Sequence, residues 1–435
     1  MKGSMMSPMK TENMFTRRQL LTRAAQASAA LAFPTIIPAS ALGKDGAVAP
    51  SERIVLGAIG IGGRGSYVLG CFLEEADVQF VAISDVKAER RQTVKERADA
   101  KYGNQDCKMY RDLHELLARP DIDAVLIATG PNWHALASIL ASKAGKDVYC
   151  EKPCAKTILD SLALAAEFRR SGCIFQAGTQ RRSLPNFEFA VELAQRGRLG
   201  KLTSVHAHPG GLAVSTSGWM PAEPEPPKEE GDWDRYLGPA AWRPFNRALF
   251  ARGGSFEKGG GMVGGGCLEW GSHCVDLCQW ANSADQTAPV EYWPQDGQLR
   301  ARYANGVELV VRGEGWLPNI GSCPVRFEGE KGWVETGDNG DLYSSTPDLL
   351  VGRRARIAGY PANLHVRNFL DCVKSRASTR ANADAACQTH IACNAGNIAL
   401  FLDRKLAYDP KKNEIIGDEQ ANRLRSEALR EPWRI

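Results

Sequence analysis

Three glycines and one aspartate have the spacing of a dinucleotide-binding turn. Gly60, Gly62 and Gly65 form a Gly-x-Gly-x-x-Gly pattern at the end of the apolar run of residues 54–61. Glycines at these positions allow a tight turn and a close backbone approach to a pyrophosphate, which the N–H groups of a following helix can bind. Asp85 comes about 20 residues later, after the next apolar run, where its carboxylate can accept ribose hydroxyls. The order of strand, glycine turn, helix, strand and acid predicts an NAD(P) site.

The charges around Asp85 favour one form of this dinucleotide. The carboxylate should repel a 2′-phosphate, so we expect NAD rather than NADP. Lys87, Arg90 and Arg91 follow closely, and they can either offset that repulsion or form the solvated face of a helix. NADP therefore stays open as an alternative.

A second group of polar residues lies in the glycine-rich stretch of residues 264–276. Glu269, His273 and Asp276 have the i, i+4 and i+7 spacing that places side chains along one face of a helix. Three such ligands can bind zinc or manganese, but no HExxH pattern accompanies them, so we expect no metal. Imidazole titrates near neutrality, which favours a general-base function for His273 over a purely structural one.

The first half of the chain alternates short apolar runs with helical stretches. The expected strands cover residues 54–61, 78–83, 124–128, 147–150 and 174–177. The clearest helices cover residues 135–144 and 158–169. This alternation is typical of a doubly wound parallel sheet, so we expect an N-terminal Rossmann domain at residues 53–177.

The second half has a different pattern, in which strand candidates follow one another with short turns. They cover residues 202–207, 290–293, 298–303, 307–311, 325–328 and 333–336, and residues 365–404 are expected to be helical. This pattern predicts a mostly antiparallel, open-faced sheet in a C-terminal α+β domain at residues 178–408. A polar tail at residues 409–435 is expected on the surface. The fold class is therefore α/β.

Two loops after the predicted strands carry further motifs. Residues 129–134, Thr-Gly-Pro-Asn-Trp-His, follow the third strand, and Glu-Lys-Pro at residues 151–153 follows the fourth. In a doubly wound fold such loops line the ligand crevice. With the glycine turn and the His273 segment, they resemble the Gfo/Idh/MocA family of oxidoreductases, from residue 53 to about residue 433. The resemblance implies an NAD(P)-dependent enzyme that forms dimers or tetramers, and the chain's ending looks like an exported subgroup.

The resemblance also implies functions for individual residues. Lys152 is expected near the nicotinamide and the reacting hydroxyl, and His273 is expected to remove the hydroxyl proton as hydride leaves carbon. Glu269, where the family often has aspartate, is expected to orient the substrate or His273. The candidate cofactor-binding residues are Gly60, Gly62, Gly63, Arg64, Gly65, Asp85, Thr129, Asn132, His134, Glu151, Lys152 and Gln180. The candidate substrate contacts are Arg181, Trp133 and Asp276, the last of which alternatively holds His273 or caps the backbone.

Residues 1–41 have the three parts of a twin-arginine export signal. Arg17 and Arg18 precede a mildly apolar run of small residues at 24–37, and residues 39–41 are an Ala-Ser-Ala cleavage site. The run is too short and too interrupted by proline to span a bilayer. We therefore expect a periplasmic or otherwise exported protein with a linker at residues 42–52. A retained, disordered basic segment is the alternative.

Charge and cysteine content restrict the partners. The formal net charge is +4, and the first 41 residues hold five basic residues and one acidic residue, so the rest of the chain has no net charge. We therefore expect no nucleic-acid or anionic-membrane partner. The twelve cysteines lack Cys-x-x-Cys spacing and are expected to be buried apolar side chains, with a structural disulfide as an alternative.

Two chemistries remain open for the expected enzyme. One is hydride transfer from the CH–OH group of a sugar, polyol or glycoside, including a self-recycling form that retains NAD. The other is an NAD-dependent glycoside hydrolase, in which transient oxidation at C3 acidifies the C2 proton, the leaving group is eliminated, water adds and the ketone is reduced. Both use Lys152 and His273. A carbohydrate-binding protein with a vestigial Rossmann fold is the non-enzymatic alternative.

Overall fold

The apolar runs of the first half form a parallel sheet in the computed structural model. The structure describes residues 48–212, 214–215, 220–251, 264–314 and 320–434. The expected export signal and residues 42–47 of the expected linker lie outside the described residues. The strands are β1 (Ile54–Ile59), β2 (Val78–Ser84), β3 (Lys108–Tyr110), β4 (Ala124–Ile127), β5 (Asp147–Cys150) and β6 (Phe175–Ala177), in the order β3-β2-β1-β4-β5-β6. This confirms the doubly wound Rossmann fold.

The reversal of strand order between β1 and its neighbours defines where a ligand can bind. The connecting helices are α1 (Gly63–Glu74), α2 (Ala88–Tyr102), α3 (Leu113–Leu117), α4 (Pro131–Lys143) and α5 (Ile158–Ser171). Because β1 pairs with both β2 and β4, a crevice opens beyond the carboxyl ends of these strands. The edge strand β3 was not predicted, because the side chains of Lys108 and Met109 are exposed and provide no apolar run.

The second sheet is mostly antiparallel, as expected. Its strands are β7 (Leu202–Ala207), β10 (Glu291–Gln295), β11 (Gln298–Arg302), β12 (Glu308–Val311), β13 (Val325–Gly329), β14 (Gly332–Thr336), β15 (Leu342–Ser344), β16 (Leu406–Asp409) and β17 (Glu414–Ile415). Their order is β15-β14-β13-β7-β12-β11-β10-β16-β17, and β12 pairs with β7 in parallel. A separate pair is formed by β8 (Val214–Ser215) and β9 (Gly264–Gly265).

Helices cover one face of the second sheet. Those that pack on the sheet are α6 (Pro185–Gln195), α10 (Gly271–Ala281) and α12 (Ala383–Leu402). The other helices after β6 are α7 (Trp233–Leu237), α8 (Arg247–Ala251), α9 (Gly266–Glu269), α11 (Asn363–Ser375) and α13 (Glu419–Arg423). Val205 and Leu309 of the sheet share a buried apolar cluster with Val275 of α10 and Ile391 of α12. Burial of this face supplies the main stabilisation of the domain, since apolar area removed from water dominates folding.

The expected helical stretch at residues 365–404 is two helices. The chain breaks after α11 at Arg376, whose φ is 59°, and α12 begins where the side chain of Asn382 accepts the N–H of Ala385. The ring of Phe369 in α11 lies edge-on to those of Phe72 and Tyr149. A helix from late in the sequence therefore completes the Rossmann core.

The chain after β16 also departs from the expected polar surface tail. Ile415 and Ala421 are buried. The Trp433 ring lies edge-on to Trp133, with 4.9 Å between ring centroids. The end of the described chain therefore returns to the Rossmann domain.

The structure also bears on the cysteines and on membrane insertion. All twelve cysteines are free thiols, and all but Cys173 are buried, which confirms their expected apolar character. In the described part of the chain, none of the helices combines the length and the apolar character that crossing a bilayer demands.

Candidate active site

The glycine turn joins β1 to α1 at the reversal of strand order. Gly60 has a φ of 69°, and a Cβ there would lie 2.8 Å from the Cα of Thr129, so the position requires glycine. A Cβ on Gly65 would lie 2.8 Å from the Cβ of Ala128, so this glycine lets α1 pack against the chain after β4. Gly62 provides no side-chain cap for α1. The first N–H groups of the helix are therefore suited to bind a pyrophosphate.

A cavity of about 60 Å³ lies beyond the ends of β1, β2 and β4, and we call it the Asp85 cavity. It is lined by Ile59, Gly60, Ser84, Asp85, Val86, Arg90, Arg111, Asp112, Leu113, Thr129, Gly130, Asn132, Trp133, Arg235, Tyr236 and Trp433. The carboxylate of Asp85 accepts the N–H groups of Ile61 at 3.0 Å and Lys87 at 2.9 Å. Burial raises the pKa of Asp85, and the positive charge of Arg90 opposes that rise. Its oxygens keep lone pairs for ribose hydroxyls.

The side chains of residues 129–134 contact two different parts of the structure. The Asn132 amide donates to the carbonyls of Tyr236 and Leu237, and Trp133 Nε1 donates to the carbonyl of Arg235 at 2.8 Å. These two residues therefore attach α7 to the Asp85 cavity, which Trp133 lines.

His134 lies instead toward the Glu-Lys-Pro loop. Its Nδ1 is 2.7 Å from the carbonyl oxygen of Pro153, and its Nε2 is 3.1 Å from that of Thr129. Burial lowers the pKa of His134 to about 4. The ring thereby ties the loop after β4 to the loop after β5.

A second cavity, of about 330 Å³, lies on the other side of the glycine turn, and we call it the Lys152 cavity. It is lined by Gly62, Gly63, Arg64, Gly65, Ala128, Thr129, Pro131, His134, Glu151, Lys152, Pro153, Arg181, Glu269, Trp270, His273 and Tyr360. Thr129 borders both cavities. A dinucleotide bound across the turn can therefore place one end in each cavity.

The side chain of Lys152 contacts the main chain of Glu269. The Lys152 Nζ donates to the carbonyl oxygen of Glu269 at 3.1 Å and lies 5.4 Å from the centre of the Trp270 ring. Glu269 is the last residue of α9 and His273 lies in the first turn of α10, so a break at Trp270 separates them. Glu269 and His273 nevertheless line the same cavity, whereas Asp276, the third residue of the predicted helical face, does not.

His273 is a neutral imidazole at neutral pH. It is buried, and burial lowers its pKa well below the ordinary value, helped by the positive charges of Arg181, Lys152 and Arg64. Within the described part of the chain, its Nδ1 is buried and finds no hydrogen-bond partner. The ring is therefore in the form that accepts a proton.

Glu151 and Gln180 form a buried pair behind Lys152. The amide of Gln180 donates to Glu151 Oε1 at 2.8 Å and to the hydroxyl of Tyr149 at 3.2 Å. Burial raises the pKa of Glu151, while Arg64, whose Nε is 3.5 Å from Oε1, opposes the rise. Gln180 is fully buried and does not line either cavity. Gln180 therefore binds Glu151 and does not reach either cavity, where the expected cofactor contact would be made.

Two neighbouring arginines have different partners. Arg181 lines the Lys152 cavity and is held by Asp338 through contacts of 2.9 and 2.5 Å. Arg182 forms a buried pair with Asp276, with contacts of 2.7 and 2.8 Å, and also contacts Asp285. Asp276 also accepts the hydroxyl of Thr389 and lines neither cavity. Asp276 is thus a packing residue, and neither the expected substrate contact nor a bond to His273 is formed.

Several cavity residues were not found from the sequence. Tyr360 lies in the Lys152 cavity, 4.7 Å from the Arg181 guanidinium, and Arg111, Tyr236 and Trp433 lie in the Asp85 cavity. The first three come from loops and short helices with no motif, and Trp433 lies in the Arg-Glu-Pro-Trp ending that resembles the exported subgroup but has no predicted site function. Only long-range packing brings these residues to the site. Among the described residues, no cluster of three or more metal-ligating side chains is present.

Two segments of the chain match known protein families. Residues 54–179 match the Gfo/Idh/MocA oxidoreductase family, NAD-binding Rossmann fold, and residues 213–435 match that family's C-terminal alpha/beta domain. Over 146 residues the chain is 33% identical to myo-inositol 2-dehydrogenase from Thermotoga maritima, covering 34% of this chain and 42% of that protein. It is 28% identical over 166 residues to 2,7-anhydro-N-acetylneuraminate hydratase from Mediterraneibacter gnavus, covering 38% and 40%. The matches thus span less than half of these relatives.

Solved structures show the same fold over most of the chain. Aldose-aldose oxidoreductase from Caulobacter crescentus, complexed with glycerol, is 18% identical with a TM-score of 0.56, covering 82% of this chain and 99% of that one. The WlbA dehydrogenase from Chromobactrium violaceum, in complex with NADH and UDP-GlcNAcA, is 19% identical with a TM-score of 0.58, covering 82% and 96%. The two family matches confirm the resemblance seen in the motifs, while the exported subgroup stays a prediction. This chain belongs to the Gfo/Idh/MocA oxidoreductase family and contains the family's NAD-binding Rossmann domain.

Proposed function

We propose that this protein is an NAD-dependent oxidoreductase acting on the CH–OH group of a sugar, polyol or glycoside. The observation that carries the proposal is the Lys152 cavity, where an ammonium group and a neutral, buried imidazole line one space beside the glycine turn. Oxidation of a carbinol needs a base for the hydroxyl proton, and a positive group beside the oxygen stabilises the negative charge that develops there. The names of the inositol dehydrogenase relatives agree with a polyol substrate.

The residues that would hold the cofactor lie at the glycine turn and in the two cavities beside it. The N–H groups at the start of α1 suit the pyrophosphate, Asp85 suits a ribose, and the Lys152 cavity suits the nicotinamide. The bound cofactor supplies the hydride acceptor. The open space beside Gly63, where a Cβ would meet nothing within 4 Å, is consistent with a ligand at the turn.

The protein's own groups would divide the proton chemistry. Lys152, oriented by the carbonyl of Glu269, donates a hydrogen bond to the substrate oxygen and stabilises negative charge on it. His273 accepts the hydroxyl proton, because burial keeps its imidazole neutral. Arg181, fixed by Asp338, adds a positive charge that suits the hydroxyl or carboxylate groups of a carbohydrate.

The test is an incubation of purified protein and NAD with a panel of sugars, polyols and aryl glycosides, in which NADH absorbance and aglycone release are followed together. We expect NADH to accumulate with one class of sugar or polyol. Aglycone release without net NADH would replace this proposal by the glycoside hydrolase mechanism. Bound NAD without any turnover would favour the carbohydrate-binding alternative.

We also propose export by the twin-arginine route. Arg17 and Arg18, followed by the small-residue run and the Ala-Ser-Ala site, support this proposal. Substitution of both arginines by lysine should keep the protein in the cytoplasmic fraction, whereas the wild type should appear processed in the exported fraction. Equal distribution of the two proteins would contradict the proposal.

A homo-oligomer, dimeric or tetrameric, is our proposal for the assembly. The open face of the second sheet supports it, because Arg300 and Arg326 lie beside Glu308 and Glu328 there. Such alternating charges are self-complementary across a two-fold axis. Light scattering of the purified protein tests this, and a monomeric mass at micromolar concentration would contradict it.

A further inference from the structure

Residues 430–434 close one side of the Asp85 cavity. Arg430 anchors this segment, because its Nε donates to the carbonyl of Gly238 at 3.1 Å and its guanidinium also reaches the carbonyl of Asp234 at 2.8 Å. Trp433 lines the cavity, edge-on to Trp133 and stacked on the ring of His114 at 6.4 Å. A tryptophan that follows the Rossmann domain by hundreds of residues is therefore part of its ligand crevice.

The indole N–H of Trp433 is buried and lacks a hydrogen-bond partner within the described part of the chain. Buried indole N–H groups are normally paired, since an unsatisfied donor loses its hydration without compensation. The side chain lines the cavity, so an acceptor on a ligand there can satisfy the donor once the indole shifts enough to expose its N–H.

The chemistry of the cavity identifies the part of the ligand that binds there. Asp85, the expected ribose partner, lies in its wall, and Lys152 and His273 line the other cavity. The nicotinamide half must then occupy the Lys152 cavity, which leaves the adenosine half for the Asp85 cavity. Val86 and Leu113 supply apolar walls, and adenine has flat π-faces and ring nitrogens that accept hydrogen bonds.

We propose that Trp433 is an adenosine-binding residue. Its indole ring forms a wall against the adenine base, and its N–H donates to an acceptor of the adenosine. The segment of residues 430–434, anchored by Arg430, thereby closes the cofactor site and slows NAD release. This inference requires NAD binding but does not require the proposed reaction.

The test uses calorimetry to compare how tightly the wild type and its variants bind ADP-ribose. This ligand has the adenosine half of NAD without the nicotinamide. Trp433→Ala should weaken ADP-ribose binding by about 10-fold or more, since base–aromatic stacking contributes about 1–3 kcal/mol. Trp433→Phe keeps a ring and loses the donor, so it should weaken binding by about 3- to 10-fold. The matched control is Trp242→Ala, because Trp242 is 65% exposed and lines neither cavity; its affinity should equal that of the wild type.

An ADP-ribose affinity of Trp433→Ala within twofold of the wild type overturns the proposal. If that variant does not fold by circular dichroism, Trp433→Phe decides, and its unchanged affinity overturns the proposal. Failure of the wild type to bind ADP-ribose overturns the assignment of the cavity to adenosine. A protein that shows the Trp433 dependence but turns over no sugar contradicts only the proposed function.

Discussion

The side-chain Nζ of Lys152 donates to the main-chain carbonyl oxygen of Glu269 at 3.1 Å. This contact joins the loop after β5 to the end of α9 and so connects the Rossmann domain to the segment directly before α10, the helix that carries His273. A main-chain carbonyl oxygen carries no net charge. The contact therefore orients the lysine without neutralising its charge.

Lys152→Ala should lower turnover by about 10²- to 10⁴-fold, the usual contribution of a positioned acid–base group. NADH binding, measured by fluorescence titration, should stay nearly unchanged because the glycine turn and Asp85 are intact. The control is Lys201→Ala at an exposed lysine before β7. Unchanged turnover in Lys152→Ala would remove the acid–base assignment.

Asp85→Ala should weaken NADH more than NADPH, because the variant loses a ribose acceptor and also loses the repulsion of a 2′-phosphate. Arg90→Ala is the matched variant, since Arg90 lines the same cavity and its positive charge favours phosphate; it should weaken NADPH more than NADH. Fluorescence titration with both nucleotides gives the two ratios. Equal weakening of both nucleotides by Asp85→Ala would argue against a ribose contact.

Asp276→Ala should lower the free energy of unfolding by about 3 kcal/mol, because it removes the more buried of the two carboxylates that pair with the buried Arg182. Asp285→Ala should cost less, since the Asp285 side chain is 31% exposed. Urea denaturation measures both. A raised KM for substrate in Asp276→Ala with unchanged stability would instead support the predicted substrate contact of Asp276.

Acid should destabilise the protein through His390. Its Nε2 accepts the N–H of Cys154 at 2.9 Å, so the ring must be neutral, and burial lowers its pKa to about 4. Between this value and the ordinary pKa of about 6.5, the unfolded chain binds a proton that the folded chain does not. The contribution is present above pH 6.5 and is lost as the pH falls toward 4.

Urea denaturation at pH 7, 6 and 5 tests this prediction in the wild type and in His390→Gln. Stability should fall less steeply in the variant, by up to about 1.4 kcal/mol per pH unit. The difference between the slopes of the wild type and the variant isolates His390. Contributions of opposite sign come from buried carboxyls such as Glu151, whose pKa is raised by burial, and they cancel because both proteins contain them. Identical slopes would contradict the prediction.

Local patterns in the sequence were sufficient for the framework of the fold. Apolar runs that end in glycine or a polar loop predicted β1, β2, β4, β5 and β6, because buried parallel strands need continuous apolar residues. β3 escaped prediction since it lies at the sheet edge with exposed side chains. The break at Arg376 also escaped, because a helix C terminus formed by a left-handed arginine has no strong sequence signal.

The glycine turn, the acid after β2 and the Lys152 loop are each contiguous in sequence, and their spacing alone determined that this is a dinucleotide-binding chain. Which polar residues face the ligand depended on the tertiary structure. Gln180 supports Glu151, Asp276 pairs with Arg182, and Trp433 reaches the Asp85 cavity. The direction of a side chain toward a cavity or toward a buried partner depends on contacts between distant segments, and no local spacing encodes those contacts.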